Sequence, residues 1–257
     1  MKKAAELHLK AASSPNPQGP VALLSAANCY FFLGRYKEAL ETVEKLLEDY
    51  PNLYQEAAEE AEWIKGKCFM ALGYSKDKVI AQFKRIIEKY PDTRVAAGAY
   101  MEIMEIHLRS GAQDLAMKEW EEIVAHYKQK FPNIVSMSIS RWGNFFFEKG
   151  DYEEAIKWYS KALDIVPQFA SRVLIRVGEC YKAMEQYEKA AGIFQEVADK
   201  FPQSEQCPQA LLLQGQCLYQ MGKKKEAKDV FIKLLEKFPT KEEIIGEAKN
   251  WIELCEE

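Results

Sequence analysis

Six prolines punctuate the chain at nearly even steps: Pro51, Pro91, Pro132, Pro167, Pro202 and Pro239, separated by 40, 41, 35, 35 and 37 residues. Five follow an aromatic residue (Tyr50, Tyr90, Phe131, Phe201, Phe238), and the sixth follows Val166. Proline cannot continue a helix and biases its predecessor away from helical geometry, so each marks the end of a segment. A period of this length signals one supersecondary unit repeated along the chain. The stretches GKCFMALGYSKDKVIAQFKRIIEKYP (66–91) and GQCLYQMGKKKEAKDVFIKLLEKFP (215–239) show the likeness directly. Both open on Gly-x-Cys, meet a second glycine seven residues later, and close on aromatic-Pro.

Each unit carries two helical patterns. In SISRWGNFFFEKGDYEEAIKWYSKALDIVP the first stretch places Trp142 and Phe146 on one face, and Gly150-Asp151 makes a turn. The second stretch carries Ala155, Tyr159 and Ala162 at steps of four and three, which is helical spacing. Small residues at Gly143, Ala155 and Ala162 allow helices to approach closely. The reading is all-α, a solenoid of about six helix pairs.

This pattern resembles the tetratricopeptide repeat, a helix-turn-helix of about 34 residues with Trp, Leu-Gly, Tyr, Ala, Phe, Ala and Pro at set places. The unit holding Trp142-Gly143, Phe146, Gly150, Tyr152, Ala155, Tyr159, Ala162 and Pro167 matches best. Across the six units the small slot reads Ala27, Gly66, Met104, Gly143, Gly178 and Gly215. Three residues on stand Tyr30, Phe69, His107, Phe146, Tyr181 and Leu218; the second helices carry Ala39, Val79, Ala116, Ala155, Ala190 and Ala227. Met104 and His107 make the third unit atypical, and HYKQKF adds about one turn before Pro132. The resemblance implies a right-handed superhelix over repeats at about 20–51, 59–91, 97–132, 136–167, 171–202 and 208–239. Residues 1–19 would form a helix over 2–12 and a linker. Residues 240–257 would cap the array, with Thr240 as N-cap and an apolar stripe of Ile244, Ile245, Ala248, Trp251, Ile252 and Cys255. Joints such as FPQSEQ also resemble those of bacterial envelope members, the Tol-Pal-associated factor and the lipoprotein of the outer-membrane barrel assembly machine.

A net charge of −4 gives no basis for a nucleic-acid partner, whose binders usually carry a basic surface. No run of about 18 apolar residues is present to span a membrane. Glu6, His8 and Lys10 interrupt the N-terminal stretch, so it does not read as a signal peptide. As written the chain would stay in the cytoplasm; a periplasmic protein whose signal had been removed would read the same.

Cys29, Cys68, Cys180 and Cys217 share one slot, which Ile106 and Phe145 fill elsewhere, so the thiols read as small core hydrophobes. Equivalent slots lie about a repeat apart, too far for one disulfide or one zinc ion. Cys207 and Cys255 are left without a role by this pattern. His107 sits in an aromatic slot, and neither His8 nor His126 belongs to a ligand motif. No catalytic constellation, phosphate loop, cofactor site or metal site emerges, and the chain does not read as an enzyme.

The resemblance further implies a concave groove lined by first helices, taking a peptide or helix of a partner protein. Carried over slot by slot, the first unit contributes Val21, Leu24, Asn28, Phe31 and Phe32, and the second Glu60, Trp63, Lys67 and Met70. The third contributes Met101, Glu105, Leu108 and Arg109, and the fourth Met137, Ser140, Asn144, Phe147 and Glu148. The fifth contributes Arg172, Ile175, Glu179 and Lys182; the sixth, Gln209, Leu212, Gln216, Tyr219 and Gln220. Trp63, Met70, Met101 and Phe147 would make an apolar patch, although Trp63 packed between the first two repeats is an equal alternative. Asn28 and Asn144 match the asparagine slot of a carboxylate clamp but stand three units apart, so no clamp is expected. The function expected is a protein-interaction scaffold or adaptor. The alternative is a self-assembling structural component, a homo-oligomer, of the bacterial envelope among other places.

Overall fold

The computed structural model describes Lys3, Leu7 and residues 19–256. They form thirteen α-helices of 14 to 17 residues and no strand, in two compact units, residues 1–134 and 135–257. The first unit holds α1 (Gly19–Phe32), α2 (Tyr36–Asp49), α3 (Gln55–Ala71), α4 (Lys76–Lys89), α5 (Arg94–Arg109) and α6 (Gln113–Tyr127). The second runs through α7 (Pro132–Glu148), α8 (Tyr152–Ile165), α9 (Ala170–Ala183), α10 (Tyr187–Lys200), α11 (Cys207–Gln220), α12 (Lys224–Lys237) and α13 (Glu242–Glu256). The helix expected over 2–12 lies, apart from Lys3 and Leu7, outside the described residues.

One turn closes every pair. The amide three residues past the first helix donates to the carbonyl of the aromatic slot. Arg35→Tyr30, Tyr74→Phe69, Ala112→His107, Asp151→Phe146, Gln186→Tyr181 and Lys223→Leu218 all measure 2.9–3.0 Å. That bond requires a left-handed residue just before the donor, and Gly34, Gly73, Gly111, Gly150 and Gly222 supply it at φ between +71° and +79°. In the fifth pair the position is Glu185, at φ +59°. A side chain there costs about 1–2 kcal/mol relative to the right-handed basin. Glu185→Gly should therefore stabilise the second unit by up to about 1 kcal/mol, read from the urea midpoint.

Packing within a pair is glycine against ring. A Cβ on Gly66 would stand 2.8 Å from Phe83, and one on Gly215 2.5 Å from Phe231. Gly143 faces Tyr159 and Gly178 faces Phe194 in the same way, and all four rings are buried. Each ring follows the second-helix Ala or Val slot by four residues, on one helix face. Ala39, Val79, Ala116, Ala155, Ala190 and Ala227 are buried in every repeat. Trp142 and Trp158 stack at 4.4 Å and 7° between planes, joining α7 to α8.

The structure moves several boundaries. First helices start at Gln55, Arg94 and Pro132, rather than 59, 97 and 136, because joint residues continue them at the N-terminal end. Pro132 opens α7 instead of closing the third repeat, and Pro167 opens a 3-10 turn (Pro167–Phe169) leading into α9. A missing amide is no loss at a helix's first turn, so proline suits that position too. Past Tyr127, the Phe131 amide donates to the Tyr127 carbonyl at 2.7 Å, forming the extra turn of the third repeat. Thr240 does not cap α13, since Lys241 closes a turn onto the Phe238 carbonyl and the helix opens at Glu242.

Candidate functional site

Within each unit, first helices of successive repeats lie side by side, and their polar side chains reach across one repeat to each other. In the first unit Asn28 Nδ2 donates to Glu60 Oε1 at 2.6 Å, joining α1 to α3. Lys67 Nζ donates to Glu102 Oε2 at 3.0 Å, joining α3 to α5. Glu102 is only 3% exposed, so water reaches its carboxylate little and ion pairing offsets part of that loss. Arg109 Nε pairs along α5 with Glu105 Oε1 at 3.0 Å.

The apolar slots of this unit divide. Phe31 is half-buried, edge-on to Tyr36 at 5.4 Å and to Phe32 at 6.0 Å, and Phe32 is 70% exposed. Met70 is half-buried against the core. Met101 is 5% exposed, so it belongs to the interior and not to an open patch. Trp63 packs forward, not back: a Cβ on Gly98 of α5 would lie 3.2 Å from its ring, and Phe83 of α4 stands 5.5 Å away. It thus bridges the second and third repeats while staying partly exposed, with Lys67 Nζ 5.7 Å from its ring.

The second unit centres on Arg176. Its Nη2 donates to Asn144 Oδ1 at 2.6 Å and its Nη1 to Glu179 Oε2 at 2.6 Å, so α9 is tied to α7. The guanidinium also lies 5.6 Å from the Phe147 ring and 5.7 Å from the Tyr159 ring. Tyr159 donates its hydroxyl to Asn144 Oδ1 at 2.6 Å. Burial pushes that phenol up to about 12, so it remains a donor across the physiological range. Phe147 is half-buried and edge-on to Tyr152 at 5.1 Å. Arg172 is exposed, whereas Ile175 is 3% exposed and packs in the core.

Farther along, Lys182 Nζ donates to Gln216 Oε1 at 2.6 Å, and Gln216 Nε2 donates to Glu247 Oε1 of α13 at 2.9 Å. Trp251 of α13 meets Tyr219 edge-on at 5.2 Å and stacks on Phe231. The capping helix therefore packs on Gln216 and Tyr219 of the sixth repeat, and Gln216 is buried there rather than open to a partner, while Gln209 and Gln220 remain exposed.

The carry-over of slots passed over Glu102, Arg176 and Glu247. Glu102 and Arg176 share one position, two residues before the small slot. Their partners Lys67 and Asn144 lie 35 and 32 residues earlier, so complementary residues one period apart were the available signal.

Cys68, Cys180, Cys207 and Cys217 are buried, and Cys29 and Cys255 half-buried. Burial pushes the Cys68 and Cys217 thiols up to about 11 and Cys180 up to about 12. A thiolate is the reactive form, so maleimide at pH 8 should label Cys29 and Cys255 first. The other four should react only in urea, as followed by mass spectrometry; rapid native labelling of Cys68 or Cys180 would contradict the packing. His107 is half-buried in its aromatic slot, where burial, then Lys76 and Lys84, holds the imidazole below its usual range. Among the described residues no three His, Cys, Asp or Glu side chains gather closely enough to hold a metal ion. No described helix is long and apolar enough to cross a membrane.

Comparisons with known proteins agree with this architecture. Two tetratricopeptide repeat family profiles match residues 3–60 and 60–93, and a profile described as anaphase-promoting complex, cyclosome, subunit 3 matches residues 148–234. A search of curated proteins gives no significant match. Among solved structures, the C-terminal part of a TPR repeat-containing protein from Cytophaga hutchinsonii is 20% identical at a TM-score of 0.56, over 89% of this chain and 86% of that one. A tetratricopeptide repeat protein from Parabacteroides merdae is 14% identical at 0.52, over 99% of this chain and all of that one (100%). The APC/C hetero-tetramer Cut9-Hcn1 is 15% identical at 0.52, with all of this chain (100%) matching 46% of that one. With six repeated turns, glycine-against-ring pairs and these matches together, the chain belongs to the tetratricopeptide repeat superfamily.

Proposed function

We propose that the protein is an interaction scaffold that holds a peptide or helix of a partner protein along the first-helix faces of its repeats. The observation that carries this reading is the cross-repeat polar ladder with aromatic side chains beside it. Phe31 and Phe32 stand near Asn28–Glu60, and Phe147 lies under Arg176. Side chains already held in place lose little freedom when a partner arrives, which favours affinity. Apolar contacts would supply most of the binding energy, and exposed charges such as Arg172 and Arg109 would set partner choice and association rate. The hetero-tetramer among the structural neighbours is itself a protein complex, which is consistent with such a role. No residue is assigned a catalytic part.

The test is selection of a displayed random-peptide library on the immobilised chain, followed by affinities of synthesised hits. Phe32→Glu or Arg172→Glu should weaken a hit about tenfold, or 1.4 kcal/mol, with an unchanged melting curve. A library that never enriches, or hits indifferent to both substitutions, would overturn the proposal. Trp63→Ala is unsuited as a probe, because its ring fills space between α3, α4 and α5 and its loss would lower stability instead.

A further inference from the structure

Between α10 and α12, over one face of α11, the second unit carries a groove of about 430 Å³, within the range of small-ligand sites. Helical spacing sets out its sides. Glu188 and Gln195 stand two turns apart on α10, and Glu226 and Asp229 one turn apart on α12. Gln214, Leu218 and Met221 follow at steps of four and three, along α11 and just past its end. None of these is a slot assigned to the partner face, so the groove is separate from the site proposed above.

Its floor holds one polar side chain among apolar ones. Gln214 is 9% exposed and shares the floor with Leu218 and Ala191, each 8% exposed. Its side-chain amide makes no hydrogen bond among the described residues. Nor is that amide sealed in the core, since both its nitrogen and its oxygen keep accessible surface. They open on the groove, because Leu218 and Met221 on the same helix face line it too. An amide in such a place is costly unless solvent or a ligand meets it, and it offers one acceptor oxygen and one NH₂ donor.

The rim is acidic. Glu188 on one side and Glu226 and Asp229 on the other are exposed, and none forms a hydrogen bond or ion pair through its carboxylate among the described residues. Lys223 is the cation on the rim, so three carboxylates against one ammonium leave a charge of −2. Nearby cations are turned elsewhere: Lys189 donates to Gln186 at 2.8 Å, and Lys228 to Glu256 of α13 at 2.6 Å. Gly192 keeps the α10 side low, since a Cβ there would meet nothing within 4 Å.

We infer that the groove binds a guanidinium carried on an alkyl stem. The stem lies over Leu218, Met221 and Val230, and the head group donates to Gln214 Oε1 and to carboxylates from both sides. A guanidinium suits this arrangement better than an ammonium, having five donors in a planar fork against three, and a weaker hold on its water. An arginine within a peptide chain and a free alkylguanidine share this chemistry.

Titration of the full chain, followed in nitrogen-15 correlation spectra at the Gln214 side-chain amide and the Gly192 backbone amide, tests it. The probes are agmatine and the acetylated tripeptide amides Ala-Arg-Ala, Ala-Lys-Ala and Ala-citrulline-Ala. Saturable shifts are expected from agmatine, the arginine peptide or both, at least threefold weaker binding from the lysine peptide, and none from citrulline, which lacks the charge. Agmatine alone would mark a free guanidine as the ligand, and the peptide alone an arginine within a chain. Glu188→Gln and Asp229→Asn should each weaken binding about threefold, as fits exposed pairs, and the triple variant with Glu226→Gln should abolish saturation. Gln214→Met keeps the unbranched shape without the amide. It should weaken binding about tenfold while leaving the melting temperature of the free protein unchanged or raised. The inference fails if neither guanidine shifts these signals, if citrulline binds or lysine binds as tightly as arginine, or if the triple variant binds like the parent. It fails equally if Gln214→Met destabilises the free protein, which would show the amide already satisfied.

Discussion

Gly215→Ala should destabilise the second unit by about 2 kcal/mol, although alanine is the better helix former by about 1 kcal/mol. The added methyl would lie 2.5 Å from Phe231 Cε1 and 2.6 Å from Cζ, closer than carbon atoms approach. Phe231 has nowhere to go: it is fully buried, and Trp251 of α13 stacks on it at 6.2 Å. Overpacking therefore outweighs propensity. Gly192, in the middle of α10, is the internal comparison, since nothing lies within 4 Å of a Cβ there. Gly192→Ala should stabilise by up to about 1 kcal/mol. Urea titrations followed by far-UV circular dichroism would read both. Equal shifts in the same direction would mean that Gly215 does not face the ring.

A larger loss, about 4 kcal/mol or more, is expected from Ala155→Arg. Ala155 is fully buried in the first turns of α8, with its amide donating to Asp151 at 3.0 Å. A guanidinium there would have to be buried without a carboxylate or push α8 away from its neighbours. The cooperative transition of the second unit should move to much lower urea. A variant that melts like the parent would refute the register on which the slot assignments rest.

How much of this was legible beforehand depended on whether a residue answers to its own repeat or to the next one. The glycine slots, Ala155 and its equivalents, and the turns were readable because their surroundings lie within one period. Cys68, Cys180 and Cys217 followed for the same reason. Residues answering to a neighbour were misread. Met101 and Ile175 occupy slots that the resemblance treats as open, yet both are buried. Trp63 rests on Gly98 because α5 brings a bare backbone to it, a pairing that no rule internal to a repeat contains. Cys207, unexplained from sequence, is buried at the start of α11 in the core that also holds Leu211 and Phe231. Pro132 and Pro167 were assigned to endings because proline is equally at home at a helix's first turn, and spacing alone does not separate the two uses.

The turn bond that recurs from Arg35→Tyr30 to Lys223→Leu218 draws donor and acceptor from the same short segment. Each corner is thus a self-contained clasp. A gene duplication or deletion spanning one whole period would leave every remaining clasp fastened and would have to reconcile only the two faces newly brought together. Chains of this design can lengthen or shorten in steps of one cassette, while a change of a few residues inside a corner undoes it.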